Sequence, residues 1–234
     1  MKQLLITQMV VTLCFGITLD CCASPRDEDH LVPIEKTIGL SATYEQLWRQ
    51  KLLVTSGEIA RFVGLPGTLG VETAISVYRD PGKKESLPGN YWVTATQASQ
   101  RLWNCIQPGA KGQIDPNMIH IVRCDAPITE STALAVHKIW LTMLSQARPQ
   151  RSSNRILVDS SREIFSAVDN EGKVWQAQNL NSPSENTKML IDMALSLLEY
   201  CGTPEDRRPS LSRDIEKTAS HMLARVAPSS GRKK

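Results

Sequence analysis

Four histidines, His30, His120, His137 and His221, are the chain's candidate proton-transfer groups. An imidazole titrates near neutrality and can act as acid or base at physiological pH. His120 stands close to Arg123 and Asp125, at the end of an apolar run leading into Pro127. A strand exit of this kind often carries functional side chains, and a helix N-terminus just beyond it would favour an anion. Against this stands a simpler reading. A lone histidine beside apolar neighbours is usually a packed core or boundary residue. His120 shares a strand face with Met118 and Val122, His137 precedes Trp140 and Leu141, and His221 adjoins Met222.

The sharper catalytic signatures are missing. The sequence has no G-x-S-x-G elbow, no H-E-x-x-H pair, no Walker loop, no EF-hand loop and no G-x-G-x-x-G fingerprint. Gly64, Gly67 and Gly70 have the wrong spacing for a nucleotide loop and bracket Pro66, so they read as a turn between strands. No cofactor and no metal site is implied. Of the five tryptophans, Trp48, Trp103, Trp140 and Trp175 lie in or beside periodic apolar patterns and are expected in the core. Trp92 differs: it shares its strand face with Thr94 and Thr96 and is the candidate binding residue.

Composition narrows the classes. Twenty-seven basic and 24 acidic residues leave a net charge of +3, and aromatics are 5%. Neither an electrostatic footprint nor a stacking platform for nucleic acid is present. Hydrophobic residues at 41% and charged residues at 22% are ordinary for a globular chain.

Lys2 precedes a mostly apolar stretch from Leu4 to Leu19, followed by Cys21 and Ala23 at the −3 and −1 positions of a cleavage site before Ser24. This reads as a secretory signal at residues 1–23. It is short for a membrane span, so no stable span is expected after its removal. Lipidation is the weaker alternative, because Asp20 precedes Cys21. The export reading makes the chain periplasmic or secreted. After cleavage Cys105, Cys124 and Cys201 remain. An oxidising compartment permits a disulfide. Cys105 and Cys124 enclose a Gly/Pro/Asn-rich loop and are the expected pair, with roughly 3 kcal/mol from closing the loop. Cys201, on the apolar stripe of a helix, is expected to be an inert buried thiol.

The elements that must position these residues follow from periodicity. Residues 24–40 read as a flexible lead-in. Thr43 and Gln46 form a T-x-x-Q capping box for a helix over 43–54. Alternation predicts strands around Ile59–Val63, Val71–Val77 and Tyr91–Ala95, and one over 118–124 ended by Pro127. A helix over 131–147 is capped by Thr129 or Ser131. Ile156 and Val158 suggest a short strand. Phe165, Ala167, Trp175 and Ala177 suggest a hairpin turning at Asp169–Gly172. Ser182-Pro183-Ser184-Glu185 then starts a helix with the stripe Leu190, Met193, Ala194, Leu197 and Cys201. A last helix over 211–226 is followed by a basic flexible tail, 228–234. The succession from Trp140 to Tyr200 resembles a loose layout of exported bacterial proteins, and no activity travels with that resemblance.

The expected fold is α+β: a single domain over 41–227, with one mostly antiparallel sheet and three to four helices packed on one face. The expected function is non-catalytic binding of another protein or an envelope component. The alternative is a small envelope hydrolase or transferase, with His120 or His137 next to a carboxylate and a nucleophile.

Overall fold

A computed structural model describes residues 29–53, 57–67, 70–80, 90–106, 114–149, 161–180 and 183–226. The signal reading at 1–23, the strand at 156–158, Ser182 and the tail at 228–234 lie outside the described residues.

Among the described residues, seven strands form one sheet in the order β1-β7-β6-β2-β3-β4-β5. They are β1 (Val32–Pro33), β2 (Glu58–Leu65), β3 (Thr73–Arg79), β4 (Tyr91–Ala98), β5 (Ile121–Ile128), β6 (Arg162–Val168) and β7 (Val174–Asn179). Every neighbouring pair is antiparallel. Among the described residues, four helices accompany them: α1 (Leu40–Leu52), α2 (Glu130–Ser145), α3 (Glu185–Gly202) and α4 (Arg208–Val226). The α+β expectation is met.

Period-2 alternation gives the sheet two unlike faces. On one, Phe62, Ile75, Val93, Ala126 and Phe165 meet Trp140 of α2, Leu197 of α3 and Met222 of α4 in the main core. The Trp140 and Phe165 rings stand edge to face, 5.5 Å apart, a favoured arrangement for aromatic quadrupoles. On the other face, Val63, Ala74, Ala98 and Ile164 pack against Leu47, Trp48 and Leu52 of α1 and against Leu102 and Cys105 of a 3-10 turn. Three helices therefore share one face, and α1 crosses to the other. The last helix docks within its own chain, since Ile215, Ala219 and Met222 are core residues.

The hairpin of β6 and β7 has the expected register, with Phe165 opposite Ala177 and Ala167 opposite Trp175. Gly172 takes φ 79° in its turn, a conformation that costs glycine little.

Several boundaries differ from the sequence reading for local reasons. β5 does not stop before Pro127 but runs to Ile128. It is an edge strand, where a residue lacking an N–H breaks no ladder bond. α1 begins at Leu40 after Gly39, so Thr43 and Gln46 lie inside it rather than at its start. α3 begins at Glu185 with Ser184 as its N-cap residue. Its capping carboxylate comes from the lead-in. Asp29 accepts the Ser184 hydroxyl and, at 3.0 Å, the Asn186 N–H. Leu31 is fully buried, and Val32 and Pro33 pair with β7. This part of the lead-in is thus anchored by a charge at a helix N-terminus and by apolar burial.

The expected Cys105–Cys124 pair is corrected. A disulfide joins Cys124 to Cys201, with the α-carbons 5.9 Å apart. Cys124 points to the helical face, where Cys201 of α3 meets it. Cys105 is buried in the core of the opposite face, so the sheet lies between it and Cys124. Burial pushes the Cys105 thiol up, which makes it the inert one.

Among the described residues, no helix is long and apolar enough to cross a membrane.

Candidate functional site

The expected cluster of His120, Arg123 and Asp125 is only partly assembled. Arg123 and Asp125 point to the face away from α2–α4 and form a bidentate ion pair, with contacts of 2.8 and 2.9 Å. Thr94 of β4 donates to the same carboxylate through a hydrogen bond to Oδ1. The Arg123 hydrogen bonds hold the Asp125 carboxyl below the usual carboxylate range. His120 is exposed, precedes the strand, and has the opposite parity to Arg123 and Asp125; its own N–H donates to Ser99 Oγ at 3.1 Å. The α2 N-terminus beyond Pro127 is already occupied. Glu216 of α4 accepts Thr132 Oγ1 at 2.6 Å and Ser131 Oγ at 2.7 Å there. An internal carboxylate fills the place an external anion would take.

Trp92 is half-buried rather than exposed, and its indole N–H is sealed from solvent. It lies between Tyr78 and Pro127 in neighbouring strands. The large apolar side chains exposed near this edge, Met118 and Val122, stand at the other end of β5.

His137 belongs to a cleft of about 480 Å³ at one end of the sheet. The start of β2 supplies Gly57 and Ile59, the end of β3 supplies Arg79 and Asp80, and β4 supplies Tyr91. α2 contributes Leu134 and His137, and the end of β6 contributes Val168, Asp169 and Asn170. The volume is in the range that holds a small molecule or a few residues of peptide.

Each wall has a local cause. Gly57 accepts the Arg79 N–H at 3.1 Å and has φ 83°. A Cβ there would sit 2.9 Å from the Arg79 carbonyl oxygen, so only glycine fits the turn. The Arg79 guanidinium lies 5.9 Å from the Tyr91 ring centre, a cation–π distance. Asp169 organises the β6–β7 turn, accepting the Glu171 and Lys173 N–H groups at 3.0 and 2.9 Å and the Trp175 indole at 2.9 Å. The Trp175 bond leads the effects that keep its carboxyl low.

The His137 ring is 2.6 Å from the Val168 carbonyl oxygen through Nε2. A carbonyl only accepts, so Nε2 carries the proton and Nδ1 keeps the lone pair in the neutral ring. That bond goes to a backbone carbonyl and not to a carboxylate. The described lining holds no serine, threonine or cysteine. Among the described residues, no group of three or more His, Cys, Asp or Glu is placed to hold a metal ion.

Sequence reasoning singled out His137 but missed its neighbours, because they come from five separate segments. The glycine of Ser56-Gly57-Glu58, at the foot of a strand, was the one signal available. It also missed Glu72, a fully buried acid. Glu72 accepts the Leu102 N–H at 2.8 Å and the Tyr44 hydroxyl at 2.6 Å.

Comparison with protein-family models, with curated proteins and with solved structures finds no match to this chain.

Proposed function

We propose that this chain is an exported, non-catalytic binding module that seats a peptide segment of an envelope partner in the cleft beside His137. The composition of the cleft carries the reading. Ile59, Tyr91, Leu134 and Val168 offer apolar lining, while Arg79, Glu58, Asp80 and Asp169 bring charges of both signs. A peptide, with an apolar side chain beside polar backbone and charged groups, matches that mixture. Export draws support from the signal-like residues 1–23 and from a disulfide suited to an oxidising compartment.

The hydrolase alternative rests on His137 alone. A nucleophilic mechanism needs an attacking group within hydrogen-bond reach of the base. Apart from the buried Tyr91 phenol, the described lining supplies no hydroxyl or thiol for that role.

The test is equilibrium titration of the mature chain with a set of fluorescent short peptides of varied charge and apolar content. Saturable binding is expected, and it should be lost in Leu134→Arg, a substitution at a side chain 44% exposed that leaves the core intact. Turnover of ester, phosphoester or peptide chromogens that disappears in His137→Ala would replace this reading with the hydrolase.

A further inference from the structure

β5 is the last strand of the sheet, paired with β4 on one side and, among the described residues, with no strand on the other. Its hydrogen-bonding parity is fixed. The Ser99 N–H donates to the His120 carbonyl at 2.8 Å, so even-numbered residues of β5 turn their backbone groups to β4. The odd-numbered residues Ile121, Arg123, Asp125 and Pro127 then turn theirs outward. An independent contact agrees: the Tyr200 hydroxyl comes round from α3 and donates to the Pro127 carbonyl at 2.8 Å. Tyr200 and the proline ring close that end of the edge. Among the described residues, Ile121, Arg123 and Asp125 remain as an open row of donors and acceptors.

We infer that this edge pairs with a second copy of the chain, β5 against β5 antiparallel about a two-fold axis at Cys124. The charges select both partner and register. About that axis Arg123 lies opposite Asp125 of the second copy, and Asp125 opposite its Arg123. Both residues belong to the outward-bonding set, so each such pair exchanges two backbone bonds. Shifting the axis to Arg123 would set the two guanidinium groups against each other, an unfavourable cross-strand pairing. Val122, 62% exposed on the helical face, would come opposite Ala126 of the second copy and be covered. An isolated edge is guarded by charges of this kind. Here the two charges, already paired along the strand, are spaced so that each also faces its opposite in the second copy. The Cys124–Cys201 disulfide braces the strand at the axis. The two sheets would join into one continuous sheet across the pair.

Sedimentation equilibrium of the oxidised mature chain tests this with a charge swap. The unaltered chain should sediment as a concentration-dependent dimer. Arg123→Asp and Asp125→Arg should each weaken self-association about tenfold or more by facing like charges. An equimolar mixture of the two should recover the dimer, because each altered strand then faces its opposite. Recovery also shows that both variants are folded. Arg123→Pro, which removes an outward N–H that no bond within the sheet uses, should keep the monomer's circular dichroism and abolish the dimer. A monomeric unaltered chain, single reversals that remain dimeric, or a mixture that stays monomeric would overturn the inference.

Discussion

Tyr44 donates its phenolic hydrogen to Glu72 at 2.6 Å, joining α1 to a fully buried carboxylate that also accepts the N–H groups of Leu102 and Trp103. The acid thus ties the open end of the second core together through three donors. Removing it would strand them, and each bond to a buried charge is worth about 1.5–3 kcal/mol. Glu72→Ala is expected to cost about 3 kcal/mol in urea unfolding, well beyond an exposed substitution. A loss under 1 kcal/mol, as for an exposed site, would contradict the assignment.

The same pair gives an alkaline signature. Burial, followed by the Glu72 hydrogen bond, pushes the Tyr44 phenol far above its ordinary value. A group whose folded value is raised contributes stability below its unfolded value and loses it as the pH climbs past that point. Stability should therefore decline above about pH 10, the unfolded phenol's range. Tyr44→Phe should flatten that decline relative to the unaltered chain.

An acid signature is expected at the α2 N-terminus. Hydrogen bonds from Thr132, then Ser131, hold the Glu216 carboxyl below the usual carboxylate range. A lowered folded value contributes stability above the unfolded value and loses it as the pH falls through the folded one. Melting temperature should drop below about pH 4. Glu216→Gln should reduce the slope there while leaving the neutral-pH fold unchanged by circular dichroism.

The disulfide spans 77 residues of sequence. On the chain-entropy model, opening a loop of this length costs about 4 kcal/mol. Cys201→Ser should lower the denaturation midpoint accordingly, and peptide mapping without reductant should recover Cys124 linked to Cys201. Recovery of a Cys105–Cys124 peptide would contradict the fold's two-faced arrangement.

Asp29 caps α3 from a position outside the helical sequence. Asp29→Ala is expected to cost about 1 kcal/mol, the usual worth of a capping side chain. Hydrogen exchange should quicken in the first turn of α3 and at Val32, whose strand pairs with β7.

The sequence was most readable where one period governs a whole element. The β6–β7 hairpin and the stripes of α2, α3 and α4 could be read because Phe165, Ala177, Trp140 and Leu197 repeat at the spacing of the face they bury. Contacts between distant segments were not readable. The Cys105–Cys124 expectation followed proximity along the chain, whereas pairing depends on which face of the sheet each thiol leaves. Pro127 read as a stop because a sequence does not show that its strand lies at an edge. Asp29, Glu72 and Glu216 are single acids whose roles exist only once a helix end or a tyrosine from elsewhere arrives. The cleft was legible through His137 alone. Trp92 was set apart from the other tryptophans by its strand parity, yet it is half-buried, as Trp103 and Trp175 are, and only Trp48 and Trp140 are fully buried.

The proposed role of the cleft beside His137 is to bind a peptide without turning it over. Nitrogen–proton correlation spectra of the labelled mature chain, recorded while the best-binding peptide is added, test it most directly. Saturating shifts are expected at Gly57, Arg79, Leu134 and Asn170, with the peptide still intact at the end of the titration. Shifts confined to another surface, or cleavage of the peptide that stops in His137→Ala, would contradict it.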